Sequence, residues 1–345
     1  MSELAQKPIT DFHLYPSVGQ DDWRYGFATA QVRALETQIL SRAALLDMAN
    51  AESFELAIEL LAGTEYAVPQ AGKDFAEVEN ILLSRRSAVR ELFKELIANE
   101  EFIEPLCARE DFANIRLALR RKLTDKPLGV DYSNDGSIAA EQFEEIFEEE
   151  NYSPLPLYMQ EAIERAVLAY YQNKDVREID YAVDAAQAEY KLNKANELKS
   201  EFLVGLFRIQ VDLCNIRTML RLRFTESEQR NVFLAGGYVE SGLLKYGLDI
   251  SSDAIAPLFF ATPYYSLIES GIAYFEENKS FLKLERNCEN YLAGYLKSTS
   301  QITAGPQPVI AYLLMKEHEI RTVRLILTAK KNRLETKLVL DRLGE

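Results

Sequence analysis

Three stretches of this chain set an acid, a small amide or hydroxyl residue and an arginine at one fixed spacing. They are Asp111, Asn114 and Arg116; Asp212, Asn215 and Arg217; and Glu319, Thr322 and Arg324. A carboxylate, an amide and a guanidinium held together could move a proton or clamp an anion, so the set reads first as a catalytic constellation. It reads equally as a device for packing helices. Triplication decides for packing, because an active site is seldom built three times in one chain. The acid and arginine are five residues apart, about 140° around a helix of ~3.6 residues per turn. They therefore do not pair as i, i+3 or i, i+4 neighbours do. Each arginine is expected to meet a carboxylate or a carbonyl on a neighbouring helix or repeat.

Other chemistries fail on residue type. Gly237 and Gly242 are spaced as in a phosphate-binding loop, but Leu243 stands where that loop needs a lysine to reach the phosphates. The histidines are His13 and His318. His318 sits between Glu317 and Glu319 and is expected to be solvated or capping rather than a metal ligand. Triad catalysis would have to use one of the two, and no nucleophile elbow is present. Cys107, Cys214 and Cys288 are odd in number and widely spaced, which fits neither a disulfide framework nor a zinc motif. Cys214 is expected to be a small buried apolar residue in a reducing cytosol. No catalytic residue, metal ligand or cofactor site is expected.

The elements that carry the three sets are helices. Apolar residues fall at i, i+3 and i+7 in each: Phe112, Ile115 and Leu119; Leu213, Ile216 and Leu220; Ile320, Val323 and Leu327. Burying such a stripe is worth roughly 1.5–3 kcal/mol per large side chain. Lys122, Arg223 and Lys330 recur at one offset from each acid, where a cation complements the end of the helix. The copies lie roughly 100 residues apart, so the chain reads as three versions of one module.

A second repeat supports this. A short helix ends in a tyrosine turn at Tyr66, Tyr152 and Tyr264, with Leu61, Phe147 or Phe259 before it. Thr64-Glu65-Tyr66 and Thr262-Pro263-Tyr264 match closely, and Glu150-Asn151-Tyr152 is looser. Each tyrosine is expected to be an interior ring whose hydroxyl caps a backbone group. Ala28, Val32, Leu35, Ile39 and Ala43 mark an opening helix, and Ser53 is placed to cap the next. Pro105 is expected in the turn before the first signature helix. Turn-rich segments at 124–137 and 225–242 place the boundaries: a flexible lead-in at 1–20, then modules at 21–125, 126–226 and 227–345.

The remaining composition narrows the class. Fifteen glycines and eleven prolines among 345 residues are few, and helix formers are plentiful. An all-α fold is expected. A net charge of −15 disfavours nucleic acid and anionic lipid as partners. The acidic run from Glu141 to Glu150 could dock a basic partner, but it reads more simply as the solvated side of an amphipathic helix. With no basic segment followed by an apolar one between Met1 and Tyr25, no secretory signal is expected. The apolar stretch Ala254–Ile268 is short and broken by Pro257 and Pro263, so no span of the membrane is expected.

Taken together, certain residues resemble a known family. They are the triplicated helix, the opening Tyr25…Ala30-Gln31-Val32-Arg33-Ala34-Leu35-Glu36, the Thr-x-Tyr turns and the closing Gly305-Pro306-Gln307-Pro308-Val309-Ile310-Ala311-Tyr312…Lys316-Glu317-His318-Glu319-Ile320-Arg321. The pattern resembles the C-type stalk protein of prokaryotic V-type/A-type rotary ATPases (ATP synthases), whose eukaryotic V-ATPase counterpart carries the letter d. It runs from about residue 22 to 345.

The resemblance implies an all-α funnel of three helical modules around a pseudo-threefold axis. It also implies a non-catalytic place in the central stalk. There such a protein joins the D and F subunits of the stalk to the membrane rotor ring, built of c-type (K or L) proteolipids, on the cytoplasmic face of the cell membrane. It would carry torque for ATP-coupled proton or sodium transport and bind no nucleotide itself. The competing reading is a helical-repeat scaffold for a soluble assembly.

Overall fold

The computed structural model describes residues 15–68, 74–124, 132–225, 229 and 232–344. Every regular element among them is helical, so the fold is all-α. The chain divides into two compact units. One contains the described residues of Asn99–Ser251, and the other those of Thr10–Ala98 together with Ser252–Glu345.

The second unit begins with α1 (Gly26–Glu36), α2 (Arg42–Asn50), α3 (Phe54–Glu59) and α4 (Phe75–Leu96). The apolar positions 28–43 predict one helix, but the chain turns at Thr37 and restarts where the Ser41 hydroxyl accepts from Ala44 N. A serine cap outweighs continued periodicity because it satisfies a helix-end N–H that otherwise lacks a partner. Ser53 caps α3 as expected, accepting from Leu56 N. Gly63 then takes a left-handed φ of 81° beyond it.

The first unit carries α5 (Ile103–Thr124), α6 (Ala140–Glu148), α7 (Leu157–Asn173), α8 (Arg177–Glu197), α9 (Glu201–Phe224) and α10 (Ser241–Gly247). Pro105 lies inside the first turn of α5 rather than before it. There its missing N–H costs no intrahelical bond. Phe112, Ile115 and Leu119 of α5 enter one core with Phe143, Ile146 and Phe147 of α6, Met159 and Ile163 of α7, and Ile179 and Val183 of α8. The glutamates of α6 face outward. The acidic run is therefore the solvated side of an amphipathic helix. α9 is buried along most of its length.

The second unit resumes with α11 (Ser252–Leu258), α12 (Tyr265–Asn278), α13 (Leu282–Lys297), α14 (Pro306–Lys331) and α15 (Thr336–Leu343). α14 packs against α1, α2, α3 and α4 as well as α13. Its Ile320, Val323 and Leu327 share a core with Met48, Ile58, Leu61, Tyr66, Val78 and Leu82. The last signature helix is thus housed by the first helices of the chain. Of the lead-in expected at 1–20, the structure describes residues 15–20. The Tyr15 ring lies tilted against that of Tyr291 of α13, with ring centroids 5.1 Å apart, and Gln20 O accepts from Gln307 Nε2 at 3.1 Å. Residues 1–14 lie outside the described residues, and with them His13.

Candidate functional site

Each of the three repeated acids is buried and accepts a hydrogen bond from a backbone N–H on a non-helical segment. Asp111 Oδ1 accepts from Ser137 N at 2.7 Å, 26 residues on. Asp212 accepts from Tyr238 N at 3.1 Å and Val239 N at 3.0 Å. Glu319 Oε2 accepts from Leu40 N at 2.6 Å. In each case the segment leads directly into a short helix: α6, α10 or α2. An aspartate or glutamate thus fixes where the following element starts. Such charge-assisted bonds are about twice as strong as neutral ones.

The asparagines clamp the same segments. Asn114 donates to Ser133 O and accepts from Ser133 N, both at 2.9 Å. Asn215 does the same with Leu234, both at 2.8 Å. Both clamps bridge 19 residues. Thr322 does not reproduce this, since its hydroxyl donates to His318 O one turn back in α14.

Glycine is needed beside two of the acids. A Cβ on Gly136 would stand 2.3 Å from Asp111 Oδ1, and one on Gly237 would stand 2.1 Å from Asp212 Oδ1. No non-bonded carbon and oxygen approach so closely, so the loops come this near only with glycine. Sequence reading missed these glycines as partners of the acids. The signal was present: each immediately precedes the residue whose N–H lies 26 places beyond its acid.

The arginines reach both neighbouring helices and their own backbone. Arg116 reaches across to α8, where it pairs with Asp184 and lies 3.4 Å from Asp180. Arg324 Nε lies 3.0 Å from Glu79 Oε2 of α4. Those two meet carboxylates on neighbouring helices. Arg217 Nε donates to Leu213 O of its own helix at 3.1 Å. The basic residues near the helix ends hold carbonyls or a hydroxyl: Lys122 on Phe147 O at 3.2 Å, Arg223 on Ile250 O at 2.9 Å, and Lys330 on Thr336 Oγ1 at 3.1 Å.

The third acid has the densest surroundings. Tyr66 donates to Glu319 Oε1 at 2.5 Å and Lys316 Nζ to the same oxygen at 2.7 Å. Lys316 is 0% exposed, Tyr66 1% and Glu319 4%. Lys316 Nζ also lies 3.5 Å from Glu65 and 5.2 Å from the Tyr66 ring centroid. Burial, reinforced by the Glu319 charge, pushes the Tyr66 phenol far above its usual range, which keeps it a donor. Tyr158 fills a related place against Asp111, donating to Oδ2 at 3.2 Å. Burial pushes the Asp111 carboxyl up, and the hydrogen bonds from Ser137 draw it back.

The tyrosine turns are also described. The Thr64 hydroxyl donates to Leu61 O at 2.7 Å and accepts from Tyr66 N at 3.1 Å. Thr262 repeats both bonds with Phe259 O and Tyr264 N, at 2.8 and 3.3 Å. Tyr66 and Tyr264 are buried. Tyr152 is half-buried, edge-on to Phe147 with centroids 5.1 Å apart. The Tyr66 hydroxyl meets a carboxylate rather than the backbone group expected for it.

The three acids and both asparagines hold backbone of a loop beside their helix. His318 is half-buried beside Glu289, Arg321 and Arg342. Among the described residues no cluster of His, Cys, Asp and Glu could hold a metal. No described helix is long and apolar enough to cross a membrane.

Comparison with known proteins gives consistent matches. The model of the family described as ATP synthase (C/AC39) subunit matches residues 28–342. The C subunit of the V-type sodium ATPase of Enterococcus hirae is 22% identical over 321 residues, covering 91% of this chain and 96% of the relative. The C subunit of the A-type ATP synthase of Pyrococcus furiosus is 20% identical over 343 residues, covering 93% and 90%. Its counterpart in Methanosphaera stadtmanae is 30% identical over 177 residues, covering 48% and 44%.

Proposed function

Because the chain belongs to the ATP synthase (C/AC39) subunit family, we propose that it is the central-stalk socket of a prokaryotic V/A-type rotary ATPase. It is a subunit of such an assembly and belongs to a non-catalytic family. In this reading its three helical modules, with the boundaries given above, form a funnel about a pseudo-threefold axis. The funnel receives the D and F subunits of the stalk on one side and rests on the c-type rotor ring on the other. It sits peripherally on the cytoplasmic face of the cell membrane, binds no nucleotide, and passes torque between ATP turnover and proton or sodium transport.

The observation that carries this reading is coverage: the family match spans 28–342, and the Enterococcus relative is matched over 96% of its own length. The geometry supports it physically. A torque-bearing part needs a body whose joints do not yield, and close-packed interiors transmit strain. Here the segments after two signature helices, and the one before α2, are fastened by carboxylate and amide bonds instead of left to solvent. Repeated Asp111, Asn114, Arg116, Asp212, Asn215, Arg217, Glu319, Thr322 and Arg324 are in this reading parts of that stiffness, as are the turns at Tyr66, Tyr152 and Tyr264.

The test is gentle detergent purification of the tagged chain from its native membranes, with identification of what accompanies it. Stalk proteins, a nucleotide-binding head and a proteolipid ring are the expected company. Soluble partners without a ring would overturn the socket and favour the scaffold.

A further inference from the structure

The groove between α8 and α9 holds a cavity of about 150 Å³ that the anchored acids do not explain. Asp184, Gln187 and Lys191 line it from α8, and Phe207, Gln210 and Cys214 from α9. Lys191 is half-buried, with Nζ 5.5 Å from the centroid of the Phe207 ring. No described residue offers its ammonium a hydrogen-bond acceptor. Asp184, the acid in the same wall, is engaged by Arg116. A lysine with no hydrogen-bonded acceptor in a partly apolar cavity is an amine available for chemistry.

We propose that Lys191 is a site of Nε-acylation by short acyl phosphates. The free-base nitrogen attacks the acyl carbonyl carbon. A C–N bond forms, and the C–O bond to the phosphoryl group breaks. Inorganic phosphate leaves with that electron pair, and the proton on nitrogen passes to solvent. The surroundings of Lys191 suit both donor and product. Arg109 is exposed and within electrostatic reach of Lys191, so it offers the phosphate a cation. The amide product has a carbonyl that the side-chain N–H groups of Gln187 and Gln210 can satisfy, and its short alkyl group faces Phe207.

Protonation favours the amine over its neighbours. Burial, with Arg109 adding to it against the pull of Glu110, pushes Lys191 down to about 8. Burial pushes the Cys214 thiol up, so the sulfur stays protonated and poorly nucleophilic. Acylation also removes a charge that burial and Arg109 both disfavour.

The test treats the full-length chain with acetyl phosphate and follows each lysine by peptide mass spectrometry from pH 6.5 to 10.5. Lowered basicity gives Lys191 about a hundredfold more free base at pH 7.5 than an ordinary lysine. Weaker nucleophilicity returns about a tenfold part of that, so Lys191 should react about tenfold faster than exposed Lys297 and Lys337. Its rate should level off above pH 8, whereas that of an ordinary lysine climbs to the end of the range. In Arg109→Gln the Lys191 midpoint should move upward. In urea the preference should vanish. Rates equal to those of Lys297 in the folded chain, or a midpoint near that of an ordinary lysine, would overturn the assignment.

Discussion

Lys316 donates to Glu319 from the preceding turn of the same helix at 2.7 Å, and neither side chain reaches solvent to any extent. The pair is completed by Leu40 N and the Tyr66 hydroxyl on the two oxygens of Glu319. Those groups come from the beginning of the chain and the carboxylate from its end. The last signature helix therefore closes on the first helices through one desolvated carboxylate. In the other two repeats the acid is an aspartate served by the loop that follows it.

A buried ion pair is expensive to break from one side. Lys316→Met leaves the Glu319 charge opposed only by a phenol and a backbone N–H, and should cost roughly 3–5 kcal/mol of stability. Adding Glu319→Leu should restore much of the loss, because the buried charge goes with it. Chemical denaturation of Lys316→Met, Glu319→Leu and the double variant checks this. A double variant that is less stable by the sum of the single losses would contradict the pairing.

The glycine contacts give a sharper steric prediction. Gly237→Ala forces a Cβ against Asp212 and should cost about 1–3 kcal/mol, as overpacked sites do. Gly242→Ala is its control, since a Cβ there meets nothing within 4 Å. Asp212→Ser combined with Gly237→Ala should lose less than the two single changes together. Thermal unfolding of the four variants decides it, and equal melting for the two alanine variants would refute the close approach.

What could be read in advance follows the range of the forces involved. Stripes such as Phe112, Ile115 and Leu119 are local in sequence, so the helices and their buried faces were legible. So was the Thr-x-Tyr turn, whose bonds span two or three residues. The break between α1 and α2 was not, because a single hydroxyl at Ser41 competes with an unbroken apolar period. Anchoring of the acids lay further out of reach. Their partners are backbone N–H groups, which no residue type announces, and Leu40 is 279 residues from Glu319. Burial of Lys316 was equally hidden: lysine is almost never fully buried unless paired, and although Glu319 lies one turn away, Glu65 and Tyr66 reach it from across the fold.

The asparagine clamps should show in hydrogen exchange. Asn215 Oδ1 is the acceptor for Leu234 N at 2.8 Å, and Asn114 Oδ1 serves Ser133 N in the same way. Asn215→Ala leaves two backbone groups without their partner and should cost about 1–3 kcal/mol. The amide of Leu234 should lose protection while that of Ser133 keeps it, and Asn114→Ala should show the reverse. Loss at both amides from either change would mean that the loops respond to general loosening and not to their own clamp.

His318 predicts a pH dependence with a definite sign. Burial holds the imidazole below its ordinary value, and Arg321 and Arg342 reinforce this against the opposing pull of Glu289 and Glu319. The folded chain therefore keeps His318 neutral at a pH where the unfolded chain, titrating near ~6.5, has begun to bind a proton. The unfolded state holds more protons in that window, so stability rises with pH. It is present in full above about 7 and is lost as pH falls through ~6.5 toward the depressed folded value, by at most ~1.4 kcal/mol per pH unit. His318→Gln removes the titration and keeps a polar side chain beside Glu289. Denaturation of both proteins between pH 7.5 and 5 should show the wild type losing more stability than the variant. The carboxylates that titrate below pH 5 are common to both and cancel in the difference. Parallel curves would place His318 in an environment where burial leaves its protonation unchanged on folding, against the packing of α13, α14 and α15 around it.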